Sequence, residues 1–342
     1  MAFSTDIGID LGTASILVYV RGKGVVLNEP AVVAIEQQRQ KVLAVGTTAQ
    51  KMLGRTPENI VALRPLREGV IADFDIAEIM LKHCLARAME RRRFLRPRVV
   101  VCIPAGATSV EKKAVVEAIA RTGARETFLI EEPRAAALGA GLNIFEPSGN
   151  MVVDVGGGTS DIAVLSMGEV VEGASVSIGG DKFDEAIIQF VKKEYDTLIG
   201  ERTAESLKMK IGSAHPASHS LQAEVRGRDL VTGLPRSVTL STSQVVQALE
   251  EPLWAILQGI KQVLERTPPE LAGDIVNKGV VLSGGGALLD GFTQFLSQGT
   301  GVPFYLAEEP ITCVVKGTAF VLENMARFGE TLFSSRNTDV AF

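Results

Sequence analysis

Apolar and polar positions follow two rhythms along this chain, and the switches between them lay out its elements. Short apolar runs at 6–10 and 16–20 flank Leu11, Gly12 and Thr13, the pattern of a hairpin. Further strand candidates follow at 24–27 and, after Pro30, at 31–35. Residues 75–93 change to helical spacing, with Ile76, Ile79, Met80, Cys84 and Ala88 on one face. An apolar run at 99–103 ends at Pro104, and Thr108 with Glu111 is a capping-box pair opening a helix that stops at Gly123. A short strand at 128–130 runs into Glu131, Glu132 and Pro133, where a proline suits a first helical turn.

The opening pattern then returns. Residues 151–154, the turn 155–159 and residues 161–165 again read as strand, glycine turn and strand. Asp10-Leu11-Gly12-Thr13 and Asp154-Val155-Gly156-Gly157-Gly158-Thr159 both end a strand with Asp, turn through Gly and present a Thr. This echo predicts a duplicated fold, one copy per half, with a cleft between. Helices are expected at 181–195, 204–211 and 243–266, the last closed by Thr267-Pro268-Pro269, with a polar, strand-prone stretch at 218–242. A strand at 280–283 leads into Gly284, Gly285 and Gly286, and a final helix at 315–327 is expected to pack back on the first half. Alternating strands and helices make this an α/β chain.

Composition narrows the function classes. A 342-residue chain, 46% hydrophobic and 22% charged, is long enough for two domains or four small subdomains. Its net charge of −5 is not that of a general nucleic-acid binder, so no nucleic-acid partner is expected. The three cysteines, Cys84, Cys102 and Cys313, form no CxxC pair and fit reduced thiols in a cytoplasmic protein. No signal-peptide pattern opens the chain, and no apolar run approaches the roughly 18–20 residues that cross a bilayer.

The three glycine turns carry the chemistry. Glycine lets backbone approach a phosphate, and its N–H groups cradle anions. Taken singly, each run is a tight turn; three of them, each after a strand and two flanked by Asp and Thr, point to a nucleotide. Asp10 and Asp154 at strand ends beside a polyphosphate call for a divalent cation, and Mg²⁺ suits few protein ligands and several waters. The reaction would be phosphoryl transfer to water. Neither a P-loop nor a dinucleotide fingerprint is present.

The stretch DIGIDLGT at 6–13 resembles the first phosphate loop of the superfamily joining actin, sugar kinases and heat-shock chaperone ATPases. VDVGGGT at 153–159 resembles its second phosphate loop, and VLSGGGA at 281–287 its adenosine motif. Within that superfamily, residues 6 to about 325 are similar to the MreB/Mbl family of bacterial actins. The strings that carry this are LNEP at 27–30, REGVIAD at 67–73, IEEP at 130–133, PSGN at 147–150, IGERTAE at 199–205, GLPR at 233–236 and RTPPEL at 266–271.

The resemblance implies an actin-like ATPase fold: two RNase H-like domains, each with a smaller inserted subdomain, closing on ATP or ADP with Mg²⁺. Domain I would be 1–145 plus 312–342, with an insertion at about 33–65; domain II would be 146–311, with an insertion at about 182–242. Gly12, Thr13 and Ala14 would hold phosphates from one side and Gly156, Gly157 and Gly158 from the other. Gly284, Gly285, Gly286 and Ala287, with Ala204, Glu205, Ser206, Leu207 and Lys208, would enclose the adenosine. Asp10 and Asp154 would hold the metal through water, and Glu132 would orient the attacking water with Thr159 nearby. Read without the family, Glu131 and Glu132 equally make a favourable charge pair at a helix N-terminus. Ser160 departs from many relatives, which carry a second Thr there.

Arg91, Arg92, Arg93, Phe94, Leu95 and Arg96 mix arginines with two large apolar residues. Such a run is ordinary at a helix C-terminus; the family places a membrane-touching loop there, so Phe94 and Leu95 would insert while the arginines attract anionic lipid. His215 and His219 flank Pro216 with metal-like spacing but no further ligand, which reads as a solvated loop. The resemblance implies a homopolymer of paired filaments on the inner face of the cell membrane, with cell-wall elongation proteins as partners and a role in rod cell shape. The alternatives are a soluble ATPase or small-molecule kinase, a chaperone-like ATPase and a DNA-segregating actin. No substrate motif marks a kinase, the short polar tail leaves no chaperone extension, and a DNA-segregating actin would not carry these strings so fully.

Overall fold

Two sheets with the same strand order form the centre of the molecule. The computed structural model describes residues 6–39, 41–89, 96–215, 221–328 and 332–334. In the first sheet the order is Phe333–Ser334, Glu126–Glu131, Arg98–Ile103, Ile7–Leu11, Ser15–Val20, Gly24–Pro30. In the second it is Phe304–Leu306, Val280–Ser283, Asn150–Val155, Ser160–Ser166, Glu169–Val176. Each sheet joins an antiparallel three-stranded meander to two strands running parallel to its first member, and the first sheet adds Phe333–Ser334 antiparallel at its edge. The duplication expected from the two aspartate–glycine turns is thus present in the topology.

The turns match more closely than the strings do. Gly12 N–H donates to the Ser15 carbonyl at 3.1 Å, and Gly156 N–H donates to the Thr159 carbonyl at 2.9 Å. Thr159 is therefore the counterpart of Ser15, not of Thr13 as the shared Thr led us to expect. The extra glycines of the second turn lie opposite Thr13 and Ala14: a Cβ on Gly157 would sit 2.5 Å from the Ala14 methyl, and one on Gly158 2.6 Å from Thr13 Oγ1. No side chain fits between the two turns.

Alternation along the strands decides what they bury. Ile7, Ile9 and Leu11 enter one core with Met80, Leu81 and Leu85 of the helix Phe74–Ala88. Gly8 on the opposite face admits the helix Cys313–Glu323, since a Cβ there would lie 2.0 Å from Thr318 Oγ1. That helix crosses Glu132–Gly139 at backbone distance, with Gly139 and Gly317 at the crossing. The apolar cluster around the crossing includes Val100 and Cys102 of the first sheet and Val152, Ala163 and Leu165 of the second, so it joins the halves.

Two further three-stranded sheets stand apart from the central pair. One joins Val33–Glu36, Lys41–Val45 and Ile60–Leu63; the other joins Thr197–Leu198, Gln222–Asp229 and Pro235–Ser241. Capping sets the start of some helices. Asp73 accepts from Ile76 N–H at the start of Phe74–Ala88, and Thr108 with Glu111 makes the expected capping box for Ser109–Arg121. The expected final helix at 315–327 is instead Cys313–Glu323 followed by Met325–Phe328. Asn324 breaks it by turning its side-chain amide onto the Phe320 carbonyl. The helix expected over 75–93 is described as far as Ala88; Arg91, Arg92, Arg93, Phe94 and Leu95 lie outside the described residues, as does His219. Arg96 is described and exposed.

Candidate functional site

A cavity of about 580 Å³ opens between the two halves where the glycine turns converge. The strand ends bring Asp10 and Asp154 to its wall, and the turns bring Gly12, Thr13, Ala14, Gly156, Gly157, Gly158 and Thr159. Glu132 reaches it from the first turn of Glu132–Gly139, Glu205 and Lys208 from the helix Glu201–Ile211, and Gly284, Gly285 and Gly286 from the turn after Val280–Ser283. Four residues named with these sit elsewhere. Ala204, Leu207 and Ala287 are packed in the core of the second half, and Ser206 is half-buried away from the cavity wall. Helical spacing explains this: Ala204, Leu207 and Ile211 form the buried stripe, which leaves Glu205 and Lys208 to face the cleft.

Several contacts at and behind the wall are not assigned by the sequence. Gly180 and Asp181 back the second turn, donating from their N–H groups to the Gly156 and Gly157 carbonyls at 3.0 and 2.8 Å. Gly69 donates from its N–H to Thr13 Oγ1 at 2.9 Å and lies above the first turn. Ser283 donates to Asp154 Oδ1 at 2.5 Å, a contact set by the parallel register that pairs these two residues. Lys208 Nζ lies 2.9 Å from Asp184 and donates to the Gly180 carbonyl at 2.8 Å. Ser283 belongs to the VLSGGGA string, but only the register of strands that are 129 residues apart shows that it meets Asp154.

The cavity wall collects carboxylates of low exposure: Glu132 and Asp154 are buried, with Asp161 buried behind them, and Asp10 is half-buried. Burial, and then the charge of Asp154, pushes Asp10 up to about 8. Burial pushes Asp154 up to about 7, against the pull of the Ser283 hydroxyl and with a further rise from Asp161. Glu132 is held well above the ordinary carboxylate range by burial, then by Asp161, Asp10 and Asp154. Asp161, buried behind them, is raised by burial although Ala105 N–H donates to it at 3.0 Å. Four carboxylates that repel one another in a site of low exposure favour either protons or a cation.

The donor set says which cation fits. It is all oxygen, without Cys or His, which suits a hard divalent ion. Among the described residues no group of three or more His, Cys, Asp or Glu converges on one point as a cage. An ion here would keep much of its water, as Mg²⁺ does.

The raised carboxylates also give a prediction for the protein without ligand. Their folded values of about 7 and 8 exceed the unfolded 3.8, so their stabilising contribution is complete below about pH 4 and is lost as pH rises to 8. Each proton held by the folded state alone gives a slope of about −1.4 kcal/mol per pH unit. We therefore expect the stability of nucleotide-free protein, measured by urea unfolding, to fall between pH 5 and pH 8. Asp154→Asn should flatten that slope, and a stability that climbs over this range would refute the assignment.

Comparison with known proteins follows from this geometry. The model of the MreB/Mbl protein family matches residues 4–330. The cell shape-determining protein Mbl of Bacillus cereus is 54% identical over 325 residues, covering 95% of this chain and 98% of that protein. The cell shape-determining protein MreB of Escherichia coli is 52% identical over 338 residues, covering 97% of each. Among solved structures, the crystal structure of MreB5 of Spiroplasma citri bound to ADP superposes with a TM-score of 0.91 at 35% identity, covering 95% of this chain and 98% of that one. A MamK double helical filament, at 19% identity, shares the fold with a TM-score of 0.80 over 94% of this chain and 99% of its own. The fold is the actin-like one, two sheet-centred halves around a cleft.

Proposed function

We propose, on the premise that this chain belongs to the MreB/Mbl family, that it is an ATP-binding, ATP-hydrolysing bacterial actin. Its filaments would organise cell-wall elongation and rod cell shape on the inner face of the membrane. The observation that carries this reading is the pairing of two glycine turns and two aspartates across one cavity of about 580 Å³, a volume within the range of small-molecule cofactor sites. ADP and AMPPNP are bound by MreB5 of Spiroplasma citri, a structural neighbour of this chain.

In this reading the N–H groups of both turns and the Thr13 hydroxyl hold the polyphosphate from two sides. Asp10 and Asp154 would be the residues that hold Mg²⁺, and the ion when bound would supply neutralisation of phosphate charge. Glu132 hydrogen-bonds the attacking water and holds it in line with the terminal phosphate, with Thr159 at the same wall. Hydrolysis is slow, because the protein's main work is the polymer, and ATP sets the polymer's lifetime. The glycine turn 284–286 and the Glu205–Lys208 face of the helix enclose the adenosine. Domain I comprises 1–145 plus 312–342 and domain II 146–311; the packing of Cys313–Glu323 on Glu132–Gly139 and on Ile7–Leu11 supports that assignment.

No helix among the described residues is long and apolar enough to cross a membrane. Membrane contact is therefore assigned to the basic and apolar run 91–96, with the polymer, anionic lipid and cell-wall elongation proteins as partners. Negative-stain microscopy on anionic vesicles tests both parts of this. ATP·Mg²⁺ should give filaments lying on lipid, and Phe94→Ala/Leu95→Ala should give filaments that stay in solution. Filaments of the variant that still coat the vesicles would remove 91–96 from the membrane contact.

A further inference from the structure

The outer side of the cavity is bridged by contacts between segments far apart in sequence. Arg64, which follows the strand Ile60–Leu63, donates from Nη1 to Asp181 Oδ1 at 2.6 Å. Its Nε is buried with no hydrogen-bond partner, so Asp181 is its polar anchor, and Glu201 and Glu205 add negative charge around it. A second, longer contact runs in the opposite direction, from Arg202 Nη1 of the second half to the Lys51 carbonyl of the first at 3.5 Å.

Both ends of the ion pair are fixed to the phosphate turns. Asp181 N–H donates to the Gly157 carbonyl at 2.8 Å. On the other side Arg64 leads into the hairpin of Leu66–Arg67 and Val70–Ile71, whose Gly69 N–H donates to Thr13 Oγ1 at 2.9 Å. At the tip of that hairpin Glu68 takes a left-handed φ of 48° and lies against Gly158, where a Cβ would be 3.0 Å from the Glu68 nitrogen. The two turns that meet in the cleft are thus joined a second time through Arg64 and the wall residue Asp181.

We infer that Arg64 and Asp181 form a latch over the cleft whose opening sets the rate at which nucleotide leaves. The inference rests on the nucleotide-binding reading given above. A ligand held between the turns escapes when the two walls part, and parting them separates a charge-assisted hydrogen bond in a partly dry setting, which is stronger than its solvent-exposed equivalent. The ion pair therefore acts on release more than on the chemistry of hydrolysis.

Release of a fluorescent ADP analogue, chased with excess ADP in stopped flow, tests the latch. Arg64→Ala and Asp181→Asn should each speed release by about tenfold, and the double variant should be no faster than either, because one interaction is lost in all three. Arg64→Lys, which keeps the charge without the fork, should fall between. Raising ionic strength should speed release from the native protein and leave Arg64→Ala unchanged. Native release rates in Arg64→Ala, or additive effects in the double variant, would overturn the latch. Failure of the native protein to bind the analogue at all would overturn the nucleotide reading first, and is seen before any variant is made.

Discussion

Replacing Glu132 by glutamine should lower ATP turnover by roughly a hundredfold while nucleotide binding survives. Misplacing the attacking group by about an ångström costs on the order of 10² in rate, and glutamine, which replaces an acceptor oxygen with a donor NH₂, no longer holds the water in line. The carboxylate is buried at the first turn of its helix, beside Pro133, so its place is fixed by the backbone. Its amide replacement also removes one of four mutually repelling carboxylates, so Glu132→Gln should unfold at a higher denaturant concentration than the native protein. Loss of turnover together with gain of stability distinguishes a catalytic role from a structural one. If turnover stayed native, the glutamate would be only a charge at a helix start, the alternative that the sequence left open. The readout is phosphate release at saturating ATP beside binding of a non-hydrolysable analogue.

Gly157→Val should weaken nucleotide binding by at least about fivefold and up to more than about a hundredfold. Its first added carbon would lie 2.5 Å from the Ala14 methyl and 3.1 Å from the Ala14 nitrogen, so the two turns must move apart. Overpacking of this kind costs about 1–3 kcal/mol, roughly five- to 150-fold in affinity, and the displaced N–H groups add to the loss. Gly200→Ala is the fitting control: it has open space around it and a φ of −85°. Equilibrium titration with a fluorescent ATP analogue separates the two, and native affinity in Gly157→Val would mean that phosphates do not lie between these turns.

What the sequence disclosed depended on how local the signal was. The Asp-x-Gly turns, the capping box at Thr108 and the buried stripes of the long helices each lie within a few residues, and the structure returns them almost unchanged. The duplication was readable from two short strings because equal strand ends need equal turns. Thr13 and Thr159 show the limit of that reading: identical letters in similar strings are not equivalent positions, and only the turn hydrogen bonds reveal it. Ala204, Leu207 and Ala287 were named because the family resemblance places their segments around the adenosine, and their apolar side chains pack in the core. Arg64 and Asp181 are 117 residues apart, and Ser283 meets Asp154 only through sheet register, so neither contact leaves a trace in any one segment.

The central claim is that occupancy of this cleft by ATP controls assembly, and one sample followed in two ways tests it most directly. Polymer mass by light scattering and phosphate release are recorded together after Mg²⁺ is added to protein with ATP, with ADP or without nucleotide. The account predicts polymer that depends on ATP and phosphate release that follows polymer growth. Equal polymer in all three samples, or none despite stoichiometric ATP binding, would contradict it.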